Sequence, residues 1–414
     1  MALLKLNKKY YKFIDYLLVF LPIIIILGSP FINFTLVTCS LLFLYLSFKN
    51  KFWKWLKNIW IRLILVFWLY SIFLSFLSPD LENSLRASFF FIRFVLFALF
   101  IQHLAFNYFS YLKVFKAWGF IIIFVCFDIW VQYFFGKDLF GYQDHGHRFA
   151  GLFGNELVAG AFLWKISAPF VGLLFYEMVY GKKKNIIYSI ITLLLLIITI
   201  LITGERASFL MFIFALTLST LSIFYFQKKI KLFIFFIFIS LFLFFSSIIL
   251  SDNVKNRYND LVNIIYNFEG SSYGVLFKSG LEVWKEEKIL GVGLKSYSKV
   301  CDTLSFENNT IHQSCSTHPH NLYIQILSET GLIGMILFLS FLISFFLSYS
   351  KRFLKLNEFN KNKFLLTCCT LYLFTMIWPL TTSGSFYSTW NGFYYWIIIG
   401  IILNLTKKNK LSFI

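Results

Sequence analysis

Long apolar stretches recur along this chain, too many and too long for a soluble core. A membrane-spanning helix needs roughly 20 mostly apolar residues. About twelve segments approach that length, near 13-29, 31-48, 58-77, 87-106, 115-136, 157-176, 186-202, 208-226, 231-250, 321-347, 364-381 and 391-406. The pattern predicts an all-α polytopic membrane protein, a single membrane domain over 1-414 with no separate soluble domain. Its longest polar stretch, 251-320, lies between the ninth and tenth spans and is expected to form one large loop within that domain. Inside the loop, 276-288 places Leu276, Phe277, Leu281 and Trp284 at helical spacing opposite Lys285, Glu286 and Lys288, which predicts an amphipathic helix able to lie on the membrane surface.

Composition agrees: 59% of residues are hydrophobic, 22% aromatic and only 14% charged, outside the range of soluble domains. The 56 phenylalanines supply lipid-facing bulk. A formal charge of +19 raises the question of nucleic acid, but the lysines cluster between spans instead of along one face. Lys5, Lys8, Lys9 and Lys12 precede the first span, Lys113 and Lys116 follow the fourth, Lys182, Lys183 and Lys184 the sixth, and Lys407, Lys408 and Lys410 the twelfth. Every second connection is basic, which by the positive-inside rule puts both termini in the cytoplasm and excludes nucleic acid as the reason for the charge. The segments 78-86, 137-156, 203-207, 251-320 and 382-390 then face outward. The first apolar stretch lacks a small-residue cleavage site and leads into a second span, so no cleavable signal peptide is expected.

The outward segments hold the unusual polar residues. Cys301 and Cys315 lie in the large loop, where an oxidising compartment favours pairing over free or metal-binding thiols; the closed loop is worth about 3 kcal/mol. Cys39, Cys126, Cys368 and Cys369 fall in predicted spans and read as packing residues. Three constellations carry candidate chemistry. The first is Asp144-His145-Gly146-His147-Arg148 with Gly151 and Gly154 just before the sixth span: a metal set, an arginine aimed at an anion above a bent helix entry, or a solvated loop. No second ligand pair stands at a zinc spacing, so no metal is expected. Second, Thr203-Gly204-Glu205-Arg206 joins two apolar spans with hardly any loop, placing an ionisable pair at or near membrane depth, either as an interfacial anchor or as a site. Arginine's planar fork suits phosphate oxygens.

The third runs from His318 to Gly334, where the polar loop enters the tenth span. Histidine can exchange a proton near neutrality, and His320 would lie at a helix mouth whose N–H groups and dipole favour anions. His318 is then a loop neighbour, and Glu329, two turns further in, needs Arg206 or a buried polar network as partner. Arginines holding a leaving diphosphate and a histidine taking a proton from a hydroxyl suit transfer from a lipid diphosphate. No Asp-x-Asp pair marks a divalent-metal site in the outer segments, so a metal-independent reaction without cofactors is expected. A transporter of lipid-linked sugars is a poorer fit, because the polar residues gather on one side instead of at the midplane.

At these residues the chain resembles the O-antigen ligase and polymerase superfamily of bacterial envelope glycosyltransferases. The resemblance rests on His320-Asn321, nine further residues, then Gly331-x-x-Gly334, on Thr203-Gly204-x-Arg206, on Ser271 to Tyr297, and on Arg148 to Asn155. It implies a helix-rich, GT-C-like membrane fold in the bacterial inner membrane with a periplasmic active site. The implied activity is inverting, metal-independent transfer of a glycan from undecaprenyl diphosphate to lipid A-core, with extension of a second lipid-linked glycan by a polymerase as the alternative. His320 would be the base and Arg206 and Arg148 the diphosphate ligands, with Asn321, Gly331, Gly334, Glu205, Glu329 and His318 in support. Where many relatives carry an arginine after a Ser-Ser pair, this chain has Ser271-Ser272-Tyr273, leaving Lys278, Arg257 or Arg148 to supply that charge.

Overall fold

A computed structural model describes residues 7–146, 148–227, 266–304, 315–354 and 360–406, together with 234, 238, 262 and 263. Among the described residues the regular structure is helical, apart from one isolated bridge between Lys137 and Gln143. The first helices are α1 (Lys8–Val19), α2 (Leu21–Ile26), α3 (Ser29–Lys49), α4 (Ile59–Ser75), α5 (Leu81–Leu104) and α6 (Tyr111–Phe135). A second group holds α7 (Ala159–Ile166), α8 (Ala168–Tyr180), α9 (Lys183–Ile202) and α10 (Arg206–Phe226). The large loop contributes α11 (Ser272–Glu286) and α12 (Tyr297–Cys301), and the chain closes with α13 (Leu322–Leu354), α14 (Lys361–Met376) and α15 (Thr389–Leu405).

Among the described residues six helices can cross a membrane by length and composition, α3, α5, α6, α9, α10 and α13, and seven if α7 and α8, bent by 54° at their junction, form one span. The twelve-span expectation is therefore met only in part. Pro22, in the first turn of α2, divides the predicted span at 13-29. α4 and α14 are shorter than their predicted spans, at 17 and 16 residues, and α15, at 17, falls short of the roughly 20 residues of a full span. The predicted ninth span at 231-250 lies outside the described residues save 234 and 238.

α15 is the centre of the bundle: every residue from Gly392 to Leu405 is buried. It packs along α5, while α14 packs on α8 and α13 on α4. Small residues allow this approach, Gly400 resting on Ile101 and Ala98. Asn404 donates Nδ2 to the carbonyls of Ile101 at 2.8 Å and Gln102 at 3.1 Å, satisfying an amide that lipid could not. Phe91, Phe94, Phe97 and Phe100 turn inward from α5, whereas Phe34, Phe48 and Phe120 point out to where lipid would lie.

One break in α13 positions the large loop. Gly331 adopts φ 63°, ψ −168° inside the helix, a conformation open essentially to glycine. The peptide groups freed there bond to 288–293: Val292 N to Ser328 O (3.1 Å), Gly293 N to Glu329 O (2.9 Å) and Leu332 N to Lys288 O (3.0 Å). Gly291 lies so close that a Cβ on it would overlap the Gly331 nitrogen. Tyr70 on α4 clamps the joint, donating its hydroxyl to Leu290 O (3.1 Å) and Thr330 O (3.0 Å).

α11 corrects a sequence expectation. Its buried face is Gly274, Ser279, Gly280 and Val283, not the Leu276, Phe277, Leu281 and Trp284 stripe, and Leu281 is exposed. The small face packs on α13, Gly280 against Ile324 and Pro319. Close backbone approach to a membrane helix outweighs the apolar stripe.

Candidate functional site

Two polar clusters form at helix ends. The first centres on Glu205, directly before α10. Its Oε1 accepts from Gly160 N at 2.6 Å and its Oε2 from Ala161 N at 3.0 Å and Ser208 Oγ at 2.8 Å. Glu205 is thus the anion at the N-terminus of α7, a use distinct from pairing with Arg206. Burial pushes its carboxyl up, opposed by Ser208, the two backbone N–H groups and the charge of Arg148. Arg148 is half-buried, and its backbone closes a turn with His145 in both directions, at 3.0 and 3.3 Å. Arg206, half-buried, opens α10 as the next residue.

The segment before α7 is folded by glutamine and aspartate side chains. Gln132 accepts from Gly151 N at 2.8 Å, Asp128 from Leu139 N at 3.1 Å, and Asp138 from Tyr142 N at 2.7 Å. Gly151–Phe153 is a 3-10 turn, and the His145 ring meets Gly154 O at 3.2 Å. His147 lies outside the described residues. Among the described residues no three His, Cys, Asp or Glu side chains gather as a metal set.

The second cluster holds the histidines. The His318 and His320 rings lie together, centroids 4.1 Å apart and tilted by 33°. Ser316 Oγ lies 3.3 Å from His320 Nε2, and Thr317 Oγ1 lies 3.0 Å from His318 Nδ1. Both hydroxyls directly follow Cys315, which is disulfide-bonded to Cys301 with the Cα atoms 5.8 Å apart. His320 has φ 53°, a left-handed conformation rare outside glycine and a mark of local constraint. What imposes it is a double strap: Ser383 N donates to His320 O at 2.8 Å, and Asn321 Nδ2 donates to Pro379 O at 2.7 Å. Burial lowers the His320 pKa from its ordinary value. Burial first, then the charges of His320 and Lys295, bring His318 down to about 4.

The helix mouth differs from the expectation. Asn321 Oδ1 accepts from Tyr323 N (3.0 Å) and Ile324 N (3.1 Å), so the first N–H groups of α13 are capped by the chain itself instead of lying open for an anion. Glu329 also finds other partners than Arg206. Its Oε2 accepts from Gln325 Nε2 at 3.2 Å, and the Lys295 charge acts on it. Gln325 in turn donates to Ser385 Oγ (2.9 Å) and accepts from Phe386 N (2.9 Å). Gly334 packs on Thr330 and Tyr70, so the two glycines serve the loop joint. Lys278 is exposed on α11, Tyr273 is half-buried in its first turn, and Arg257 lies outside the described residues.

Two lysines outside the expected set complete the site. Lys295 acts on both His318 and Glu329. Lys165, buried on α7, donates Nζ to Asn391 Oδ1 at 3.2 Å and lies 5.1 Å from the Tyr394 ring centroid and 5.7 Å from that of Trp390. Segment 377–388 joins the clusters: Ser383 holds His320, and Gly384 abuts the Asn391 amide that Lys165 engages beside Glu205. An intramembrane lysine was the one available signal for this link.

Residues 191–339 match the family model described as O-antigen ligase. No curated protein matches the chain in sequence. The matched segment carries Glu205, Arg206, Lys295, His320 and the Gly331 break, and over that segment the chain is similar to the O-antigen ligase family.

Proposed function

We propose that the protein is a metal-independent, inverting glycosyltransferase of the ligase type, moving a glycan from undecaprenyl diphosphate to lipid A-core. The observation that carries this reading is His320, constrained and partly buried at the outward end of α13 within the family-matched segment. With a depressed pKa its ring is neutral at physiological pH and can accept a proton. The acceptor hydroxyl gives its proton to His320 as its oxygen bonds to the anomeric carbon from the face opposite the diphosphate. The carbon–oxygen bond to the diphosphate breaks, and the electron pair leaves with it.

Arg148 and Arg206 are assigned to the diphosphate, with Glu205 fixing the helix end between them. Lys295 is the best candidate for the loop cation that Tyr273 does not supply. His318 buttresses the base. The site faces the periplasm from the inner membrane, with both termini cytoplasmic, and 1-414 acts as one membrane domain.

A deletion strain tests the assignment. Loss of the ligase leaves lipid-linked polymer and bare core; core carrying a single repeat unit would instead identify a polymerase and overturn it.

A further inference from the structure

At the opposite face of the bundle, a cavity of about 580 Å³ is lined by Lys8, Tyr11, Asn107, Tyr108, Phe109 and Lys113. It lies where α1 meets the turn before α6, on the lysine-rich face that the charge pattern assigns to the cytoplasm. Among the described residues two lysines and no acid line it. The nearby acid, Asp15, is fully buried and committed to the turn, accepting from Phe106 N at 2.7 Å, Tyr108 N at 2.7 Å and Phe109 N at 2.8 Å. That carboxylate fixes the wall of the cavity. Lys8 and Lys12 hold their ammonium groups 6.0 and 5.8 Å from the Tyr108 ring centroid, against the same wall.

We infer that this cavity binds the phosphate headgroup of an anionic phospholipid from the adjacent leaflet. Lysine point charges and the Asn107 amide suit phosphate oxygens, and the two tyrosines carry hydroxyls on apolar rings at interfacial depth. Phe109 offers apolar surface that a lipid's glycerol and upper chains can cover and a free phosphate cannot. Basic pockets between membrane helices on the cytoplasmic side select anionic headgroups over the general surface attraction.

The test uses the purified full-length protein in nanodiscs of phosphatidylcholine with increasing phosphatidylglycerol, reading retained phosphatidylglycerol by native mass spectrometry. Losing both cations in Lys8→Gln/Lys113→Gln should weaken that retention about thirtyfold. Lys183→Gln/Lys184→Gln, which removes the same charge from exposed positions on the same face, should leave it nearly unchanged. Equal losses in the two double variants would mean diffuse surface attraction and overturn the site. Inorganic phosphate displacing phosphatidylglycerol at low millimolar levels would show a soluble anion as the occupant and overturn the lipid. Melting temperatures recorded alongside separate either result from misfolding.

Discussion

In the proposed mechanism His320 carries the proton transfer. A general base contributes typically 10²–10⁴-fold, so His320→Gln should lower glycan transfer by about that factor in a purified assay while leaving the melting temperature near that of the parent. Unchanged transfer would remove His320 from the mechanism. The acid limb of the pH–rate profile should lie below the ordinary histidine value of 6.5, because burial keeps the ring neutral and the base is lost only when pH falls through that lowered pKa. His318 gives a stability signature. With a folded pKa of about 4 against an unfolded value near 6.5, the folded state binds fewer protons. Its contribution is complete above about 6.5 and declines as pH falls toward 4. Melting temperatures across that window should fall more steeply for the parent than for His318→Gln.

Among the elements, α13 matters most because it is interrupted. Gly331→Ala forces a positive φ on a residue with a Cβ and drives that atom into the carbonyl of Ile289. Such misplacement costs more than about 1 kcal/mol. The large loop should come loose at 288–293, with faster limited proteolysis there than in Gly334→Ala. The Cys301–Cys315 disulfide acts on the same loop. Replacing both with serine should lower stability by up to about 3 kcal/mol. It should also reduce transfer, because Ser316 and Thr317, the residues beside the imidazoles, directly follow Cys315. A pair of serines that left transfer untouched would show that the histidines are held by the Ser383 and Asn321 straps alone.

For the molecule as a whole, the two clusters make sense only together. Glu205 holds α7 and α10, Lys165 ties α7 to α15, and 377–388 carries the connection on to His320. Lys165→Met should therefore disturb transfer through both clusters, lowering activity and loosening 377–388 in hydrogen exchange; a change confined to α7 would break the proposed linkage. Chelator should leave transfer intact, since the proposed steps route nothing through a metal.

Hydrophobic periodicity and charge clustering made the helical membrane character legible, because a chain this apolar has no other way to satisfy its backbone in lipid. His320, its place at the start of α13 and the loop cysteines were legible too, since each is a local signal. The count of spans was not, because Pro22, the 54° bend between α7 and α8 and the shortness of α14 and α15 are settled by packing as much as by hydropathy. Nor were the partners. Glu205 reaches Gly160 across 45 positions and Lys165 reaches Asn391 across 226, and no spacing rule extends over such distances. The sequence by itself determined the helical, apolar character of the chain and where its ionisable residues cluster along it. Only the tertiary structure decided that Asn321 caps its own helix, that Gly331 serves as a docking joint for the loop, and that the Lys295 charge acts on His318 and Glu329, because each depends on which groups the packed helices leave unsatisfied.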